Sequence, residues 1–498
     1  MSASLRTELL PMLRIAGPVV MAELGWMAMG VVDTIMVGPL GPAAIGAAGV
    51  GTAMHLGFAI FGMGVLLGLD TLVSQAYGAR DIKECHRWLF DGVTLAMLMT
   101  VPVMALCFLL LWALPSLGFH PDVLVLLRSY FAVILWSTPF LLGFAALRRY
   151  LQGMHIVAPI MFALVSANLM NAGANWVLIH GHYGFPRMGV AGSACATLIS
   201  RIYMLSVLIV AVWWSTYAEA TVDKLEWPRW RGWHADPSAE ASAKAEALAE
   251  AGLWDVPRLI DGARLWILLR LGLPAASQVT AEVGVFALAT ALAGTLDPIS
   301  SASHQIALNL AGVAFMIPLG LGSAGAVKVG HAVGAGDPAR AAASGWMAIA
   351  LGAAFMIASG SLFFAVPHVL IGWFTKDAAV LLVGTSLLRL AAVFQLFDGI
   401  QGVITGTLRG IGDTRTPMVV NLAAHWLLGL PVSYTLCFVL GWGVWGLWIG
   451  LSLGLIVTGV ILLYVWTVKI AQYSAFAKAT ADKPAMYSQV PGLRPQDP

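Results

Sequence analysis

Residues 271–296 read LGLPAASQVTAEVGVFALATALAGTL, a nearly unbroken apolar run with one carboxylate, Glu282, close to its middle. A helix needs ~20 apolar residues to cross the hydrocarbon core of a bilayer, so this run is long enough to span one and places Glu282 near the midplane. An acid at that depth costs roughly 2.5 to 3.5 kcal/mol on insertion scales. Such a residue normally faces a protein interior or a wet cavity and takes part in transport or proton handling. The plainer alternative is a neutral Glu hydrogen-bonded to a neighbouring helix, and this run alone does not choose between the two.

Composition extends the membrane reading to the whole chain. Of 498 residues, 59% are hydrophobic and only 10% charged, against about 25% charged in soluble proteins. The net charge of +2 comes from acids and bases spread through short segments, which leaves no basic face for nucleic acid. Cys85, Cys107, Cys195 and Cys437 lie far apart, without a CxxC pair or a histidine at ligand spacing, so they read as packing residues, with no metal or cofactor expected. The N-terminus lacks the basic stretch, short apolar core and small-residue cleavage site of a secretory signal, and its first apolar run is expected to be retained. No lysine follows a glycine, which rules out a Walker A loop.

Counting apolar runs between polar or Gly/Pro-rich breaks gives twelve spans, at about 15–37, 44–74, 89–113, 124–149, 156–180, 188–214, 265–294, 300–330, 342–367, 378–407, 416–440 and 444–470. Basic residues cluster before the first span and at alternate breaks (Arg14, Arg80, Lys83, Arg87, Arg148, Arg149, Lys328, Arg340, Arg409, Arg415, Lys469), whereas the opposite loops hold little beyond Arg187 and Lys376. This bias predicts a multi-pass protein of the cytoplasmic (inner) membrane with both termini in the cytoplasm.

An internal repeat fixes the architecture. At an offset of about 256 residues Pro18 matches Pro274, Leu40-Gly41-Pro42 matches Leu296-Asp297-Pro298, and Gly78-Ala79-Arg80-Asp81 matches Gly334-Ala335-Gly336-Asp337. Further on, Leu151-Gln152-Gly153 matches Leu408-Arg409-Gly410, and Gly189 to Gly192 matches Gly443 to Gly446. Each copy holds an even number of helices, so the copies are related by an axis along the membrane normal. The fold class is therefore an all-α integral membrane protein with twelve transmembrane helices in two pseudo-twofold-related six-helix bundles. The bundles are expected over residues 1–216 and 263–470, joined by a cytoplasmic connector at 217–262 and followed by a disordered cytoplasmic tail at 471–498. The connector carries Trp227, Trp230 and Trp233 and then an Ala/Glu/Lys-rich stretch, which reads as an interfacial aromatic cluster and a short surface helix. The glycine pairs Gly62/Gly64, Gly320/Gly322 and Gly406/Gly410 predict close helix packing. Pro159, Pro318, Pro417 and Pro431 predict bent helices.

Besides Glu282, the ionisable groups well inside spans are Glu23, Asp33, Asp70, Arg201 and Asp398. Glu282 and Asp398, the latter within AVFQLFDGIQG, fall in one bundle whose spans hold no base at similar depth. Two acids so placed cannot both ionise cheaply, so the bundle is expected to hold a proton, as a proton-coupled carrier requires. A capping or kinking role beside Gly399 is the plainer reading of Asp398. Asp70 reads as an interfacial hydrogen-bonding residue, and Arg201 is a candidate partner of Glu23. In the first bundle Asn171 and Asn175 lie four apart on one helix face. With Ser193 or Thr197 they can surround Asp33 with oxygen ligands or hydrogen bonds, and interhelical amide packing is an equal alternative.

VDTIMVG near the end of the first span, TLVSQAYGA before the first basic loop, YLQG after the fourth and FDGIQGVITGTLRGIGDT in the tenth together resemble the MATE family, the multidrug and toxic compound extrusion transporters, and most closely its bacterial NorM-like branch. The likeness runs over nearly the whole chain and through both halves. It implies a V-shaped pair of six-helix bundles exporting hydrophobic organic cations in exchange for inward H⁺ or Na⁺. It also implies that Glu282 and Asp398 are the coupling carboxylates of the second bundle, and that Asp33, Asn171 and Asn175 form a first-bundle site able to take Na⁺. One departure stands out: some members carry a tyrosine one turn before the tenth-span aspartate, where this chain has Phe394, which weakens the case for Na⁺ in the second bundle.

The expectation is a secondary antiporter that works by alternating access, is not an enzyme, acts as a monomer in the lipid bilayer and exports hydrophobic organic cations or drugs. A lipid-linked saccharide flippase of related fold would line its cavity with several bases, and Arg201 stands almost alone. An intramembrane lipid-modifying enzyme would need a catalytic cluster, and the chain has no HExxH zinc motif.

Overall fold

The computed structural model describes residues 3–218, 256 and 261–480. All twelve apolar runs are helices long enough to cross a membrane. Those that carry the argument are the first span at Glu8–Leu40, second at Pro42–Gly78, fourth at Pro121–Gly153, fifth at Ala158–His180, sixth at Val190–Trp213, seventh at Gly262–Gly294, eighth at Pro298–Gly334, tenth at Ala378–Gly410, eleventh at Arg415–Val439 and twelfth at Gly443–Phe476. Large apolar side chains such as Val101, Leu169 and Leu427 are more than two-thirds exposed. In a twelve-helix membrane protein lipid supplies the missing cover, since helices satisfy their own backbone polar groups and leave apolar side chains for the hydrocarbon. The expected tryptophan cluster and surface helix of the connector lie outside the described residues. The last helix runs through Gly443–Thr480, about ten residues beyond the start expected for a disordered tail.

The repeat seen in the sequence is a repeat of turns. After the second span Arg80 takes φ +64° and Asp81 caps the next helix, accepting from the Glu84 N–H at 2.9 Å; after the eighth, Gly336 takes φ +68° and Asp337 accepts from the Arg340 N–H at 2.9 Å. His155 (φ +64°) and Gly412 (φ +86°) likewise end the fourth and tenth spans, with the Ile156 and Asp413 amides returning to the carbonyls of Leu151 and Leu408. Left-handed backbone is free of steric cost only for glycine, so the first repeat pays for two turns that the second makes with glycine.

Contacts divide the chain into a unit of Met21–Ala276 and a unit of Met1–Val20 with Ser277 onward. Each unit is thus completed by the opening turns of the helix that begins the other repeat. Glycine makes both joints. A Cβ on Gly64 would lie 2.5 Å from the Ala276 Cα, and one on Gly320 would lie 2.9 Å from the Val20 Cα; both glycines are where backbone meets backbone. Within the second unit Gly406 backs onto the Gly322 carbonyl, 2.0 Å from where its Cβ would sit, which is the close packing small residues permit between membrane helices.

The proline expectations divide. Pro318 lies inside the eighth-span helix, whereas Pro159 and Pro417 sit in the first turns of theirs, where the missing N–H costs nothing. Pro431 falls between two π-helical stretches, Ala423–Gly429 and Thr435–Val439. The fourth span also tightens to a 3₁₀ turn at Leu135–Ser137 just before Thr138 and Pro139.

Candidate functional site

Each unit holds a polar cluster built around acids that the sequence singles out. In the unit containing Met21–Ala276, Asp33 of the first span is half-buried. Its Oδ1 accepts from Asn175 Nδ2 at 2.8 Å, and the same amide donates to Asn171 Oδ1 at 3.0 Å. Its Oδ2 lies 3.0 Å from the Thr197 hydroxyl, which is also 3.1 Å from the Ser193 carbonyl. Helical spacing explains the convergence: Asn171 and Asn175 are one turn apart in the fifth span, and Ser193 and Thr197 one turn apart in the sixth. Ser193 enters through its backbone, and its own hydroxyl is buried without a partner among the described residues. The Asn175 amide and the Thr197 hydroxyl thus place one donor on each oxygen of the carboxylate. Among the described residues the Asn175 oxygen and the Asn171 amide nitrogen have no hydrogen-bond partner, so the cluster keeps polar capacity for a cargo group or ion.

Deeper in the same unit the polar pairs are Thr52 Oγ1 with the Tyr130 hydroxyl at 2.7 Å and His55 Nε2 with Thr138 Oγ1 at 3.0 Å. The Thr138 hydroxyl donates to the Leu135 carbonyl, so its oxygen accepts from His55, which makes Nε2 the protonated nitrogen of that ring. Glu23 pairs with Arg148, and Arg201 instead donates to Ser137; the anticipated Arg201–Glu23 pair is not formed. Asp70, fully buried, meets Arg149 at 3.4 Å.

In the other unit Glu282 and Asp398 are joined by one amide. Gln401 Nε2 donates to Glu282 Oε1 at 2.8 Å and lies 3.4 Å from Asp398 Oδ1. Asn421 Nδ2 reaches Glu282 Oε2 at 3.4 Å, and the Trp426 indole donates to the Ala281 carbonyl, just before Glu282, at 3.0 Å. His425 Nδ1 meets the Asn421 carbonyl at 3.2 Å and Thr458 Oγ1 at 3.4 Å. Among the described residues no basic side chain forms an ion pair with Glu282 or Asp398. Phe394, in the place of the family's tyrosine, is buried against Trp448 and offers no oxygen. No cluster of three His, Cys, Asp or Glu fit to hold a metal occurs among the described residues.

Comparison with known proteins follows the same two halves. The MatE family model matches residues 18–177 and again 274–435, starting at the two prolines that open the repeat. The chain belongs to the MatE family. It is 32% identical over 477 residues to a protein of Mesorhizobium japonicum named probable multidrug resistance protein NorM, covering 93% of this chain and 94% of the relative. It is 35% identical over 463 residues to a protein of the same name from Burkholderia pseudomallei, covering 91% of each. Among solved structures its fold is similar to the eukaryotic MATE transporter AtDTX14, with a TM-score of 0.77 at 21% identity over 95% of this chain and 100% of that one. A MATE in the bent conformation gives a TM-score of 0.79 at 18% identity over 96% of this chain and 100% of that one.

Within this MatE chain, three residues at the second cluster escaped the sequence reading. Gln401 lies three residues after Asp398, on the same helix face, inside the motif already singled out. Asn421 and His425 show the same i, i+4 spacing as Asn171 and Asn175. Their signal was present but carried no charge at midspan to draw attention to it.

Proposed function

We propose that this MatE protein is a secondary antiporter that exports hydrophobic organic cations in exchange for inward H⁺, with Na⁺ the alternative counter-ion, acting as a single chain in the inner membrane with both termini cytoplasmic. The observation that carries the reading is the Glu282–Gln401–Asp398 arrangement, two carboxylates bridged by one amide inside a membrane-spanning unit. Two negative charges so close in a low dielectric are costly. A proton or a cargo cation relieves the same cost, which makes the two occupants mutually exclusive, and mutual exclusion is what exchange requires. The Asp33 cluster supplies a further acid with hydrogen-bond donors fixed around it. The relatives named as multidrug resistance proteins support drugs as cargo. The driving force follows from charge balance: in one-for-one exchange of a proton for a monovalent cation the membrane potential acts equally on both and cancels, and each pH unit supplies ~1.4 kcal/mol, roughly a tenfold cargo gradient per proton.

Purified protein in weakly buffered detergent solution provides the test. Adding an organic cation releases about one proton per chain, read with a pH indicator, and Glu282→Gln or Asp398→Asn removes the release. Displacement of bound Na⁺ in place of a proton assigns the exchange to Na⁺. Cation binding that displaces neither ion contradicts the antiport reading.

A further inference from the structure

Arg201 lies in the sixth span and is 5% exposed, yet its guanidinium is matched differently from three other buried cations. Arg148 meets Glu23, Arg264 meets Glu84 and Asp91, and Lys328 meets Glu8. Arg201 meets the hydroxyl oxygen of Ser137, and it joins no carboxylate in an ion pair among the described residues. Ser137 is itself committed, its hydroxyl donating to the Ile134 carbonyl at the 3₁₀ turn of the fourth span. A guanidinium has five N–H donors, and leaving a buried one without a counter-charge costs several kcal/mol. Ionisable groups kept inside a membrane at such a cost mark sites of function.

Through space Arg201 faces the Tyr130 phenol first and then the Asp33 carboxylate. Both Asp33 oxygens already have side-chain donors, Asn175 on one and Thr197 on the other. Thr197 and Arg201 are four residues apart in one helix, so the residue that holds Asp33 and the one that carries the cation are one turn apart on the same face, ~6 Å along the sixth span at the backbone. The interior of this unit therefore holds a separated pair of opposite charges, with the hydroxyls of Tyr130 and Thr52 in contact with each other in the same region, 2.7 Å apart. A simple cation on Asp33 meets repulsion from Arg201. A molecule carrying a cationic and an anionic end meets attraction at both.

We propose that Arg201 is the binding residue for the carboxylate of amphoteric cargo, whose cationic end rests on Asp33. The assignment rests on the proposed export of organic cations, with Asp33 the acid that meets their charged end, and narrows the class to organic zwitterions with an amine or iminium at one end and a carboxylate at the other. A carboxylate and a guanidinium meet through paired charge-assisted hydrogen bonds, worth enough in a dry site for an effect of about tenfold or more.

The experiment uses a rhodamine with a free benzoate and its methyl ester, which differ by one negative charge, with binding to the purified full-length protein read by fluorescence anisotropy. Binding needs no ion gradient, so the result does not depend on whether the antiport reading holds. In Arg201→Gln the acid is expected to bind about tenfold or more weakly while the ester binds as well or better, and Arg201→Lys is expected to recover part of the loss. Asp33→Asn is expected to weaken the ester more than the acid, which gives an independent reading should Arg201→Gln fail to fold. Equal changes for acid and ester in these variants, or a wild-type protein that binds the ester and rejects the acid, overturn the proposal.

Discussion

Glu8 and Arg264 occupy corresponding places in the two repeats and carry opposite charges. Glu8 lies 3.3 Å from both Lys328 and Arg340, with the Ser344 hydroxyl at 3.1 Å; Arg264 lies 2.7 Å from Glu84 and 2.6 Å from Asp91, with its guanidinium 3.9 Å from the Trp88 ring centroid. Arg340 is the repeat counterpart of Glu84, and Ser344 that of Trp88. The same contact is made twice with its polarity reversed, and both times it fastens the first turns of one repeat's opening helix to the body of the other repeat. Complementarity matters there and sign does not.

Arg264→Gln leaves Asp91 without its cation and Glu84 with Arg87 alone, at 3.6 Å. Breaking a buried pair costs about 3–5 kcal/mol, and because the Glu84 side chain is one-fifth exposed we expect the low end, about 3 kcal/mol. Thermal unfolding in detergent measures it. The triple exchange Arg264→Glu, Glu84→Arg, Asp91→Asn copies the polarity of the other repeat and is expected to recover most of the loss. A triple variant no more stable than the single one contradicts the equivalence.

Gly406→Ala places a methyl 2.0 Å from the Gly322 carbonyl oxygen. The obstacle is backbone, which no side-chain rotation relieves, so stability is expected to fall by at least ~2 kcal/mol. The yield of monodisperse protein and its unfolding temperature report this. Gly30→Ala, with nothing within 4 Å of the added carbon, is the control and is expected to leave both unchanged.

Gln401 is the amide joining the two second-unit acids. Gln401→Leu keeps the volume and removes the donor from Glu282. Hydrogen bonds to charged groups are worth about 1.5–3 kcal/mol, so cation affinity and efflux are expected to change by roughly tenfold or more while the fold persists. Efflux at wild-type rate with wild-type affinity shows that the amide does not organise the pair.

Asp297 caps the eighth-span helix, accepting from the Ser300 hydroxyl at 2.6 Å and the Ser300 N–H at 3.0 Å. These bonds hold its carboxyl below the ordinary aspartate range. A carboxyl depressed in the folded state stabilises the fold above its unfolded value of about 3.9, and that contribution disappears as pH falls through the lower folded value. Asp297→Ala is therefore expected to melt below wild type at neutral pH, with the gap narrowing as pH falls through the depressed carboxyl value. Asp297→Asn, itself a good cap, is expected to keep most of the difference. A gap between wild type and Asp297→Ala that persists in acid contradicts the assignment.

Much of this was legible in the chain, for physical reasons. A bilayer demands long apolar helices, so hydropathy yields all twelve spans; a duplicated turn demands the same capping Asp, so Asp81 and Asp337 announce the repeat. Asp33, Asn171, Asn175 and Thr197 converge because helical spacing places them on facing stripes. Partner choice was not legible: Glu23 takes Arg148 in place of Arg201 because three-dimensional proximity, set by how the fourth span packs, decides among equal charges. The π-helical stretch that carries His425 and Trp426 beside Glu282 likewise has no signature in apolar periodicity, since it alters the register that periodicity assumes.

Glu282 and Asp398 are proposed to exchange a counter-ion for an organic cation. The most direct measurement is uptake of a fluorescent cation such as ethidium into proteoliposomes under an imposed pH gradient and, separately, an imposed Na⁺ gradient, for wild type, Glu282→Gln and Asp398→Asn. The account predicts transport driven by the pH gradient in wild type and its loss in both variants, with each protein still monodisperse. Wild-type transport by both variants contradicts it.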